Sequence, residues 1–243
     1  MEAPESPLVV LVHGAWHGAW CWAALQTELD ARGIPSLAID LPGHGASAAP
    51  LADLSTDAAA VDAAIAKFSR PILLVGHSYG GAVIGEVTAA NVFHHVYVCA
   101  YALDVGESVI GLTKSMSDMP DPPPPNALTR AIVIAGGDGM STIDPELAHD
   151  AFYGRCDPMA TPANVARLCP QPLATMIEPA RVAAWRHTPS TYVRCLADQA
   201  IPVPHQDFMA ARCSTVETLD TDHSPFSSMP METAEILARI ARR

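Results

Sequence analysis

Gly76-His77-Ser78-Tyr79-Gly80 is the stretch of this chain whose residue types point most directly to chemistry. It reads G-x-S-x-G and stands between an apolar run, Ile72-Leu73-Leu74-Val75, and a small-residue segment with helical character. A serine on a sharp strand-to-helix turn offers its hydroxyl as a nucleophile, and the glycines keep side chains off backbone that passes close by. A serine hydroxyl is weak alone and needs a general base, itself oriented by a third group. In this motif the acid and then the histidine follow the serine in chain order. His223, in Asp222-His223, comes after the last strand-like run, in a loop at the C-terminal edge of a sheet, where ligands gather in open α/β folds. Among ten histidines the serious rival is His205, which opens a helix instead. Asp198 follows the penultimate strand-like run by three residues and can reach the second imidazole nitrogen, with Asp104 as the alternative acid. Asp220 and Asp222 are too close in chain to His223 to orient it. Acyl transfer also needs N–H donors where negative charge develops. The backbone N–H of Tyr79 is one, and that of Ala15, in the loop His13-Gly14-Ala15-Trp16, is the other.

The elements that must hold these residues alternate between two periodicities. Leu8-Val9-Val10-Leu11-Val12, Ser36-Leu37-Ala38-Ile39, Ile72-Leu73-Leu74-Val75 and Val96-Tyr97-Val98-Cys99 are short apolar runs closed by turn residues, as strands buried on both faces should be. Helical stretches over about 20–31, 56–68 and 80–91 separate them, the second with Ser55 as its expected N-cap. The paired His94-His95 precedes the fourth run, at a strand edge, where exposure is the ordinary expectation. From about residue 106 to 188 the alternation stops, and the proline run Pro120-Asp121-Pro122-Pro123-Pro124-Pro125 fits neither helix nor central strand. Thr191-Tyr192-Val193-Arg194-Cys195 and Thr215-Val216-Glu217-Thr218-Leu219 resume the strands, and a helix over about 230–241 closes the chain. The expected fold is α/β: a mainly parallel six-stranded sheet with helices on both faces. Residues 1–106 and 188–243 form the core, and 107–187 an inserted, mostly helical cap.

Composition narrows the partners. The formal charge of −12 and the lack of any basic cluster disfavour nucleic acid, and 49% hydrophobic residues exclude a disordered chain. No apolar run is long enough to span a bilayer, so no membrane association is expected. Met1-Glu2-Ala3-Pro4-Glu5 lacks a basic leader, which points to the cytoplasm. The six cysteines show no metal-binding spacing and read as free thiols. No glycine loop is followed by G-K-[ST], so neither metal nor cofactor is expected.

With these residues in view, the chain resembles the α/β-hydrolase superfamily. It is similar in particular to the small capped esterases that group plant methylesterases and hydroxynitrile lyases with bacterial carboxylesterases such as pyrethroid hydrolases. Residues 11–20, Asp40-Leu41-Pro42-Gly43-His44-Gly45, the serine turn, Asp198-x-x-Ile201-Pro202 and Asp222-His223 carry the resemblance. In the cap, Phe152-Tyr153 and residues 168–173 add to it. The resemblance implies a carboxylesterase-type serine hydrolase acting on a small-molecule ester, with Ser78 as nucleophile, His223 as base, Asp198 as orienter, and Ala15 and Tyr79 as oxyanion donors. Trp16, Phe152, Met176 and Trp185 are the candidate substrate contacts, and a homodimer is compatible with the sequence without being required by it. The lyases of the group carry threonine where Gly14 stands and lysine where Ser224 stands. The only two lysines here, Lys67 and Lys114, are expected on a core helix and in the cap, away from that place. Hydroxynitrile cleavage is therefore the lesser alternative, beside lactone, thioester or C–C hydrolysis and a non-catalytic small-molecule receptor.

Overall fold

The computed structural model describes residues 6–118, 125–134, 136–137 and 139–243. The expectations for Met1–Glu5, and those for the proline run up to Pro124, lie outside the described residues.

Six parallel strands form the main sheet: β1 (Leu8–Val12), β2 (Ser36–Ile39), β3 (Ile72–His77), β4 (Val92–Val98), β8 (Ser190–Cys195) and β9 (Thr215–Leu219), in the order β2-β1-β3-β4-β8-β9. Alternate side chains of each strand enter different cores. Val10 and Val12 of β1 pack with α2 (Leu54–Ile65) and α3 (Tyr79–Gly85), whereas Val9 and Leu11 pack with α1 (Ala23–Ala31) and α11 (Pro230–Ala241). Both faces are thus covered by helices, which explains why these strands read as continuous apolar runs. The short helices α9 (Val203–Ala210) and α10 (Pro225–Ser228) complete the core.

Some local expectations are corrected. The N-cap of α2 is Asp53, whose carboxylate accepts from the Thr56 N–H at 2.9 Å, while Ser55 only donates to that carboxylate. α3 ends at Gly85, well short of 91. β4 begins at Val92, so His94 and His95 lie within a central strand and are buried, not exposed at an edge.

Between β4 and β8 the chain builds α4 (Val109–Ser117), α5 (Ala127–Ala131), β5 (Ile132–Ile134), β6 (Met140–Ile143), α6 (Ala148–Phe152), α7 (Thr161–Val165), β7 (Gln171–Pro172) and α8 (Leu173–Ile177). The segment is helical as expected, but β5, β6 and β7 also pair as a small antiparallel sheet. Strands of three, four and two residues are too short to show a period of two. Among the described residues no helix is long and apolar enough to cross a membrane.

β1 pairs with β2 on one side and β3 on the other, so the chain reverses direction across the sheet at this point. Val12 lies opposite Gly76, which sets the loop after β1 beside the turn after β3. Loops at the C-terminal ends of such a switch point form a crevice.

Candidate active site

Ser78 stands on the turn between β3 and α3 with φ +52° and ψ −121°, a left-handed conformation rare for a residue with a side chain. The surroundings hold it there: its N–H donates to Val98 O, and its carbonyl accepts from the N–H groups of Gly81 and Tyr101, both at 3.0 Å. The turn closes only because its flanks lack side chains. A Cβ on Gly76 would stand 2.4 Å from Gly80 O, and one on Gly80 2.5 Å from Val12 O.

His223 and Asp198 meet as the sequence suggests. Asp198 Oδ2 lies 2.8 Å from His223 Nδ1, and both side chains are almost wholly buried. The carboxylate is fixed on its other side. Oδ1 accepts from the N–H groups of Ala200 and Ile201 at 2.7 and 2.9 Å, and Oδ2 accepts from Gln206 Nε2 at 3.2 Å. The other acids are engaged elsewhere. Asp104 is ion-paired with Arg186, and Asp222 accepts from the N–H groups of Arg155 and Ser224 and from Ser228 Oγ, which ties the His223 loop down. His205 belongs to α9, as expected. His77 Nε2 donates to His223 O at 2.7 Å, and the two rings are 4.5 Å apart between centroids, which links the serine turn to the histidine loop.

The loop after β1 is pinned at nearly every peptide group. His13 Nδ1 donates to Gly14 O and His17 Nδ1 to Ala15 O, both at 2.8 Å. Burial lowers the pKa of His13 to about 3 and that of His17 to about 4, so both rings are neutral and one nitrogen of each is left to accept. Those nitrogens accept from the Leu41 N–H and the Tyr153 hydroxyl. The inserted segment supplies the rest. The Cys169 N–H donates to Trp16 O at 2.9 Å, the Trp16 N–H donates to Gln171 Oε1 at 3.2 Å, and Trp16 Nε1 donates to Ser141 Oγ. Trp16 is held at φ +62°, a second left-handed residue beside the serine turn. A side chain at residue 14 would require a shift: a Cβ there would lie 2.9 Å from both His77 Nδ1 and Ser78 Cβ.

A cavity of about 310 Å³ opens in front of these groups. Ala15, Trp16, Ser78, Tyr79 and Met176 line it, together with Tyr101, Leu128, Ile132, Ile134 and Leu173. Its polar side chains are mostly engaged within the protein. Tyr79 donates to Asp57 Oδ2 at 2.6 Å, Tyr101 bonds Thr113, Thr129 donates to Asn126 Oδ1, and Asn126 donates to Ala200 O. The wall is therefore mainly apolar.

Two expected substrate contacts fall elsewhere. Phe152 is buried behind the cavity, its ring 5.8 Å from that of His223 and 6.1 Å from that of Trp16, where it supports both. Trp185 lies outside the lining: its Nε1 donates to Leu103 O at 2.8 Å, and Arg186 and Arg212 flank its ring. Lys114 is in the cap as expected, on α4, and lines the cavity. The ligand atoms of His77, Cys99 and His223 lie within 4.8 Å of one another, but His77 Nε2 and Cys99 Sγ already donate to the carbonyl of His223. Gln171, Gln206 and His17 escaped the sequence reading, since no motif marks a side chain whose partners lie on a different loop. Gln171 and His17 do lie within the stretches 168–173 and 11–20 that carry the family resemblance, which marks the segments and not the roles of these side chains.

Comparison with known proteins identifies the family and the fold. The family described as "Alpha/beta hydrolase family" matches residues 9–236. An alpha/beta hydrolase of Aspergillus novofumigatus (strain IBT 16806), nvfD, is 30% identical over 210 residues, covering 81% of this chain and 80% of the relative. A putative chloroplastic methylesterase of Arabidopsis thaliana, number 13, is 24% identical across the whole chain, which spans 58% of that relative's length. Among solved structures, a pyrethroid hydrolase from Sphingobium faniae JZ-2 superposes with a TM-score of 0.83 at 23% identity, covering 97% of each chain.

Proposed function

Given that this chain belongs to the alpha/beta hydrolase family, we propose that it cleaves carboxylic esters through an acyl-enzyme on Ser78. The observation that carries this reading is Ser78 itself, at φ +52° on the wall of an apolar cavity that Ala15 and Tyr79 also line. In this mechanism the second nitrogen of His223, Nε2, takes the proton of the Ser78 hydroxyl as the oxygen attacks the ester carbonyl. Asp198 holds the Nδ1–H tautomer and stabilises the imidazolium that forms. The tetrahedral oxyanion turns toward the N–H groups of Ala15 and Tyr79, which the pinned loop and the start of α3 present without rearrangement. The imidazolium then protonates the departing alcohol, and water attacks the acyl-enzyme by the same steps in reverse. The segment 107–187 acts as the cap that roofs the cavity and selects the ester. The methylesterase and pyrethroid hydrolase names among the relatives and neighbours support an ester as substrate.

Hydrolysis of 4-nitrophenyl acetate and butyrate tests this reading and separates it from a non-catalytic receptor. A sulfonyl fluoride should label Ser78 as activity disappears, and labelling at another residue with full loss of activity removes Ser78 from the mechanism. Lys114 on the cavity wall makes cyanohydrin cleavage a specific second reading. Against it, Ser224 follows His223 and is wholly buried, and a side chain at position 14 would require a shift. The expected release of cyanide from mandelonitrile is no greater than background. Cyanide release that is lost in Ser78→Ala, with no ester turned over, reverses the assignment.

A further inference from the structure

Apart from Ser78, one polar side chain of the cavity wall has no partner among the described residues. Among the described residues no acceptor or carboxylate pairs with Lys114 Nζ, and no other charged side chain lines the cavity. Its place on α4 explains why. Val109 and Thr113, four residues apart, form one row that is buried or half-buried, whereas Ile110 and Lys114, also four apart, form the adjacent exposed row. The second row is the rim of the cavity. A lysine there can lay its four-carbon stem along the apolar wall of Ile110 and Ile134 and keep its ammonium at the water boundary. A ligand seated on Ser78 would thus meet apolar surface along its length and a single cation at the mouth. Its charge is opposite in sign to the chain's net charge of −12.

We propose that Lys114 is a specificity residue, and that the substrate is an ester with an apolar body and an anionic group, such as a carboxylate, at the end remote from the scissile bond. The proposal rests on the serine-esterase reading of Ser78. A carboxylate at the mouth would accept a charge-assisted hydrogen bond from Nζ, formed in the bound ester and its transition state alike. Its effect belongs in KM more than in kcat.

Two matched series of esters test it, one for each side of the scissile bond. The first compares mono-4-nitrophenyl adipate and suberate with the corresponding ω-carboxamides. The second compares acetate esters of ω-hydroxy acids with those of the ω-hydroxy amides, followed by titration of released acid. The readout is the ratio of kcat/KM for the anionic over the neutral ester within one enzyme, so a general loss of activity cancels. In the native protein this ratio should reach about tenfold in at least one series, equivalent to about 1.4 kcal/mol. It should fall to about one in Lys114→Met and below one in Lys114→Glu. If neutral esters are turned over and neither series prefers the anion, or if Lys114→Met keeps the native ratio, Lys114 has no such function and the esterase reading stands. If no ester in either series is turned over, the esterase reading fails and this proposal with it.

Discussion

Ser78 occupies a backbone conformation that costs a non-glycine residue about 1–3 kcal/mol, and three backbone hydrogen bonds hold it there. Replacing its hydroxyl leaves those bonds intact. Ser78→Ala should therefore keep the native circular dichroism and melting temperature while kcat falls by about four to six orders of magnitude. Asp198→Asn should lower kcat by about 10³–10⁴, because the imidazole loses both its tautomer and its counter-charge. Asp104→Asn should have a mild effect, since that carboxylate faces Arg186. Steady-state kinetics on one aryl ester compares the two, and the reverse ranking would move the acid to the end of β4. The juxtaposition of Asp198 and His223 was legible in the sequence because strand ends define sheet-edge loops. The positions of Phe152, Trp185 and Lys114 relative to the cavity were not, because the direction of a cap side chain depends on packing between segments far apart in chain.

At the level of elements, the loop after β1 and the turn after β3 constrain each other. A methyl group on Gly14 meets His77 Nδ1 and Ser78 Cβ at 2.9 Å, so one of the two loops must give way. Gly14→Ala should lower stability by about 1–3 kcal/mol, as overpacking does. It should also lower kcat for aryl esters by about ten- to a hundredfold as the Ala15 N–H moves. Thermal melts and kinetics on the same sample check both effects, and native values for both would show that the loops adjust without cost. The six core strands were readable because burial on both faces leaves an unbroken apolar run. The β5-β6-β7 sheet was not, since Val133 and Ile134 of β5 are exposed and strands so short carry no period. Asp53 rather than Ser55 caps α2 for a related reason: both are good capping residues, and only the backbone geometry selects one.

Over the whole molecule, buried histidines dominate the response to acid. Burial lowers the pKa of His13 to about 3 and those of His17, His94 and His95 to about 4, and holds His77 well below its ordinary value. Between about pH 6.5 and 4 the unfolded chain binds protons at these sites that the native state refuses, so stability is lost as pH falls through that window. Asp57 works in the opposite sense. Burial raises its carboxyl to about 7, so from about pH 4 to 7 the native state keeps a proton the unfolded chain releases, and stability falls as pH rises. Several histidines outweigh one carboxyl. The melting temperature should drop by at least about 10 °C from pH 7 to 4.5. Asp57→Asn should gain stability relative to the native protein as pH rises from 4 to 7. A melting temperature that is flat or rising on acidification contradicts the assignment of neutral buried imidazoles.

The bonds from Cys169, Gln171 and Ser141 to Trp16 also decide which parts of the molecule can be exchanged. They make residues 169–171 a graft junction that must stay matched to residues 14–17. A chimera that imports the whole 107–187 segment from a relative would import a new cavity lining and unfasten the Ala15 loop together. Recombination confined to α4 through β5 leaves that fastening in place, and libraries for altered ester preference can vary it provided that Asn126, which bonds Ala200 O in the Asp198 loop, is kept.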